Sequence, residues 1–154
     1  MMETASPSRL LEDQHRRIDQ GLQDIIDGAG SLARLSESLA LLCLHLYAEE
    51  EILFPPLEAS GLTMPVFVMK REHGQMWPLV QDLTAACGSA GPVDTLQNDC
   101  RELLQLLQIH NPKEEQILYA AADRLAADPD HGSLAQALEA ARLPHGWACA
   151  MAPR

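Results

Sequence analysis

Apolar residues recur at steps of three and four along most of the chain, the period of one buried helix face. In a first segment, from about residue 7 to 27, the stripe is Leu11, Ile18, Leu22 and Ile25, and DGAGS ends it. A second, from about 31 to 59, carries Leu35, Leu39, Leu42, Leu46, Ile52 and Leu53, with Pro55 and Pro56 expected to kink it or end it early. A third, from about 64 to 87, carries Val66, Met69, Met76, Val80 and Leu83, with a bend expected at Pro78. The fourth, from about 93 to 127, carries Leu96, Cys100, Leu103, Leu107, Ile117, Leu118, Ala121 and Leu125, with a distortion expected near Pro112. A short helix over 134–142 and an irregular tail follow, the tail either folding back through Trp147 or fraying. Long helices joined by short loops predict an all-α fold, an antiparallel up-down-up-down four-helix bundle. The length fits a single domain, 1–154, with the core bundle over about 8–127.

Polar residues interrupt these stripes at inward positions. They are His15 in the first segment, His45 and Glu49 in the second, His73 in the third, and His110 and Glu114 in the fourth. Taken singly, each has a bland reading: a satisfied core histidine, or a histidine–glutamate pair on the surface. Taken together, they would need four coincidences of helix face and two of spacing. The stretches HLYAEEEILF (45–54) and HNPKEEQILY (110–119) both fit H-x-x-x-E-E-x-I-L-(F/Y). Side chains four apart lie on one helix face, about 5–6 Å apart at Cβ. Buried carboxylates are costly alone and repel one another, and cations between them remove both difficulties.

Four imidazoles and two carboxylates suit a pair of ions, iron or manganese first and zinc as a further option. His15 and His45 would hold one ion, His73 and His110 the other, with Glu49 and Glu114 bridging. That leaves room for an oxo or hydroxo bridge and an exogenous molecule. Glu50 and Glu115, five residues after their histidines, flank the site, with rotation inward as the alternative. Glu51 reads as a solvated acid, and His131 and His145 as incidental. Trp77 shares a face with His73 and either walls the site or simply packs. Glu12, Asp13 and Asn111 are candidate hydrogen-bond partners for the imidazoles.

Composition narrows the partners. Net charge is -11 and no basic stripe is present, which argues against nucleic acid. No apolar run approaches the roughly 20 residues of a membrane span, and no signal peptide is visible, so the cytoplasm is the expected location. Cys43, Cys87, Cys100 and Cys149 form no C-x-x-C pair and read as free thiols. The outer helix faces show no seam, which leaves a monomer or a homodimer open.

The elements EDQHRR around His15, HLYAEE from His45, KREHGQ around His73 and HNPKEE from His110 together resemble the hemerythrin-like family, of the HHE cation-binding type. The resemblance implies a four-helix bundle around a non-heme di-iron centre ligated by the six residues named above. The family's oxygen carriers have a fifth histidine where Trp77 stands, and an aspartate where Glu115 stands. One iron is therefore expected to lack a ligand that water, Glu115 or another group would supply. The expected function is binding of dioxygen or nitric oxide for sensing, storage or redox and iron homeostasis. A di-iron redox enzyme acting on peroxide or nitric oxide, and an iron-responsive helical interaction module, are the alternatives. Cluster-repair relatives carry an N-terminal cysteine-bearing domain, and the stretch before His15 is too short for one, which weighs against repair. The ferritin-like alternative needs Glu-x-x-His on two helices, and only Glu12 to His15 supplies it.

Overall fold

The computed structural model describes residues 5–89 and 91–153. These are mostly helical and contain no strand. Helix α1 spans Pro7–Ile26, with Pro7 in the first turn and the Ser6 hydroxyl accepting the Arg9 amide at 3.3 Å. Gly28 (φ 77°) turns the chain out of it, and the Ala29 amide donates to the Asp24 carbonyl at 2.9 Å. Helix α2, Leu32–Ala48, starts at Ser31, whose hydroxyl accepts the Arg34 amide at 3.2 Å. The same rod continues as a π-helical segment, Glu49–Leu53, and as α3, Phe54–Ala59. Helix α4 spans Thr63–Ser89 and α5 Val93–Lys113; the rod of α5 continues as a second π-helical segment, Glu114–Tyr119, and as α6, Ala120–Ala126. A 3₁₀ turn at Pro129–His131 and a short α7, Leu134–Glu139, follow.

The prolines act in different ways. The second rod does not end early at Pro55 and Pro56; both fall in the first turn of α3, directly after the π segment. Pro78 lies on the solvent face of α4, which runs through it. The distortion expected near Pro112 is the second π segment, two residues on. Across a π segment, residues five apart share a face, as residues four apart do in an α-helix. This moves the buried stripe on by one residue. Ile117, expected inside, is 48% exposed, and Leu118 and Tyr119 are buried in its stead. Likewise Ile52 is only half-buried, while Leu53 and Phe54 are fully covered.

The rods pack as a ring: α1 against α2 and α5, and α4 against α2 and α5. Their apolar faces build two cores. One contains Ile18, Leu22, Leu39, Leu42, Met76, Val80, Leu103 and Leu107; the other contains Leu11, Leu53, Phe54, Val66, Met69 and Leu118. Leu134 and Leu138 of α7 close the second core. Fully burying one such side chain contributes about 1.5–3 kcal/mol, so these layers carry the stability of the bundle. Between them every rod crosses a polar level. Along α1 the order is Leu11, His15, Ile18; along α4 it is Met69, His73, Met76.

Candidate metal centre

The polar level holds all six residues singled out from the sequence. All are buried, and Glu49, His73 and Glu114 completely so. Their donor atoms form two groups that share both glutamates: His15, His45, Glu49 and Glu114, and Glu49, His73, His110 and Glu114. Within each group the atoms lie within 4.8 Å of one another. The structure thus brings the six residues together, with His15 beside His45 and His73 beside His110. His131 and His145 join neither group.

Each imidazole is tethered at its outer nitrogen. His15 Nδ1 meets Glu115 Oε2 at 3.1 Å, His45 Nδ1 meets Gln14 Oε1 at 2.7 Å, His73 Nδ1 meets Glu50 Oε2 at 2.7 Å, and His110 Nδ1 meets Glu72 Oε1 at 2.8 Å. Those oxygens only accept, so each Nδ1 carries a proton, and in the neutral ring each Nε2 keeps a lone pair. Glu12, Asp13 and Asn111 do not fill this role. Glu50 and Glu115 do, because the π segments turn them inward.

The four Nε2 atoms converge. His15 Nε2 stands 3.1 Å from His45 Nε2, His73 Nε2 stands 3.3 Å from Glu49 Oε1, and His110 Nε2 stands 3.1 Å from Glu114 Oε1. The His15 and His45 nitrogens are within hydrogen-bond reach of each other, but Glu49 Oε1, His73 Nε2, His110 Nε2 and Glu114 Oε2 are all buried without a hydrogen-bond partner. Buried polar atoms are rarely left so, and four in one level call for a common partner. Cations supply it, so nitrogen and carboxylate donors in this number fit a metal pair. Without cations, protons must take their place. Burial pulls His15 down, but hydrogen bonding and charge from Glu114, with Glu49 and Glu115, outweigh it and raise the group to about 9. His73 is likewise raised against its burial by Glu114, Glu49 and Glu50.

One member of the level was not singled out from the sequence. Tyr119, 0% exposed, places its hydroxyl 2.9 Å from His15 Nε2 and 2.7 Å from Glu49 Oε2. The signal was present in the shared motif, whose last position is Phe54 in one copy and Tyr119 in the other. Both are completely buried; Phe54 stacks on His73 and Tyr119 lies against His15.

The tail folds back, as one of the two expectations had it. Trp147 packs edge-on against both Tyr47 and Trp77, and its indole N–H donates to Glu51 at 3.2 Å. The Ala150 amide donates to Glu50 Oε1 at 2.9 Å, and Cys149 is buried near Glu50 and His73. Trp77 therefore packs with the tail as well as lying one turn from His73.

A helical ring whose buried polar level gathers four imidazoles and two carboxylates defines a metal-binding helical protein of the histidine–carboxylate class. The family model of the hemerythrin HHE cation binding domain matches residues 6–122, and the chain belongs to that family. The iron-sulfur cluster repair protein YtfE of Yersinia pestis (strain Pestoides F) is 33% identical to it over 105 residues, covering 62% of this chain and 48% of the relative. The protein of the same name from Yersinia pseudotuberculosis serotype O:1b (strain IP 31758) matches to the same extent. The chain thus spans about half the length of the curated relatives it matches. No match was found among solved structures. Among the described residues, no helix is long and apolar enough to cross a membrane.

Proposed function

We propose that the chain holds two iron ions in the polar level and binds a small diatomic molecule, dioxygen or nitric oxide, there. His15 and His45 would hold one ion, His73 and His110 the other, and Glu49 and Glu114 both. The observation that carries this reading is the convergence of four imidazoles and two buried carboxylates, with Glu49 Oε1, His73 Nε2, His110 Nε2 and Glu114 Oε2 left without a hydrogen-bond partner. When bound, such an ion pair supplies open coordination positions and exchangeable electrons.

The chain's own residues supply the setting. The four Nδ1–H tethers fix ring orientation, and tethers of this kind raise ligand basicity. Apolar layers above and below the level keep water out and the local dielectric low. The reading includes a single domain with an antiparallel up-down-up-down course, supported by the order of the cores along successive rods. The first and third rods run from the Leu11 core to the Ile18 core, and the second and fourth run back. Four free thiols suit a reducing compartment, the cytoplasm. The Yersinia relatives are named for iron–sulfur cluster repair.

The test is a titration of the iron-loaded, anaerobically reduced protein with nitric oxide and, separately, with dioxygen. A stoichiometric adduct in the visible spectrum that reverses when the gas is removed is expected. No spectral change with either gas would overturn the ligand-binding reading.

A further inference from the structure

We infer that the Tyr119 oxygen is a fifth protein ligand of the ion held by His15 and His45, bound as phenolate. The inference rests on the two-ion reading above. Four potential donor atoms surround the hydroxyl: His15 Nε2 at 2.9 Å, His45 Nε2 at 3.3 Å, Glu49 Oε2 at 2.7 Å and Glu114 Oε1 at 3.3 Å. A phenol has one proton, so it can donate to only one of them. With both rings neutral, as metal ligation requires, the two imidazoles do not donate in return, because their Nδ1 protons are committed to Glu115 and Gln14. At least three acceptors therefore face an oxygen that is itself an acceptor. A cation among them turns that conflict into coordination.

The spacing agrees. Neighbouring ligands at right angles, with bonds of about 2.1 Å, stand about 3.0 Å apart. The His15–His45 nitrogen separation is 3.1 Å and the Tyr119 oxygen separations run from 2.7 to 3.3 Å. Forming the bond releases the phenolic proton to solvent, one per chain, and changes no oxidation state.

The other half of the molecule is the built-in control. At the matching motif position Phe54 lies against His73 with ring centroids 5.7 Å apart and has no oxygen to offer. The phenolate therefore closes one ion and leaves the His73–His110 ion as the open one.

The experiment uses the full chain loaded with iron and oxidised to the ferric state, with iron measured on every sample. Wild type is expected to show a phenolate-to-iron charge-transfer band and resonance-enhanced tyrosine ring modes. Tyr119→Phe should lose both while retaining iron, and Tyr47→Phe should keep both. Ring-deuterated tyrosine should shift the enhanced modes in wild type, a readout that does not depend on a variant folding. Iron-loaded wild type without the band, or a band unchanged in Tyr119→Phe, would overturn the inference and leave Tyr119 a hydrogen-bond donor to Glu49. Wild type that takes up no iron would instead overturn the two-ion reading and this inference with it.

Discussion

Each imidazole of the polar level divides its labour between two nitrogens, one tethered outward and one turned in. The inner nitrogens and the two carboxylates have no role to play together except around cations. Glu49→Ala and Glu114→Ala each remove a donor shared by both groups, and both should lose the ion pair. Glu51→Ala should keep it, because Glu51 is exposed and accepts only the Trp147 indole. Metal analysis of the purified variants checks this, and equal content in all three would refute the assignment. Protons compete with metal for the same lone pairs. In the metal-free protein His15 is raised from 6.5 to about 9, so its stabilising charge is fully present below about pH 6.5 and lost as pH rises through about 9. Metal-free stability should therefore fall over that window while metal affinity climbs. Denaturant titrations and metal-binding isotherms at both ends of the window measure the two trends, and flat profiles would contradict them.

At the scale of elements, the two π segments decide which residues enter the level. They begin at Glu49 and Glu114, and the five-residue step carries Phe54 and Tyr119 inward. This is why the sequence disclosed some of the site and hid the rest. His15 and His73 stand on uninterrupted α-helices, and His45, Glu49, His110 and Glu114 precede or open the π segments, so a regular helical period carries all six to the buried face. Tyr119, Ile117 and the tethering roles of Glu50 and Glu115 depend on a local change of period; Pro112 announces a distortion but not its form. Gln14 and Glu72 were hidden for another reason: they reach across to histidines on neighbouring helices, which spacing along one helix does not reveal. The tail adds a second element-scale constraint. Gly74, beside His73 on α4, faces the Met151 carbonyl so closely that a methyl group would collide with it. Alanine suits a helix interior better than glycine by about 1 kcal/mol. Gly74→Ala should therefore leave α4 helical but lift the tail. Chymotryptic cleavage after Trp147 should become faster in this variant; an unchanged rate would show that the tail is held elsewhere.

At the scale of the whole molecule, the bundle consists of two apolar cores with a polar level between them. The apolar stripes made the helical fold readable from the sequence, since each rod carries residues of both cores. The level itself is an interruption that a bundle built for stability alone would fill with leucine. Buried ionised groups cost several kcal/mol each unless something repays them. The central claim is that a pair of cations does so. The most direct test is the iron content of the untagged wild-type chain purified from cells without added metal. The account predicts two iron ions per chain. A folded chain that contains no metal, and takes up none when ferrous iron is supplied anaerobically, would contradict it.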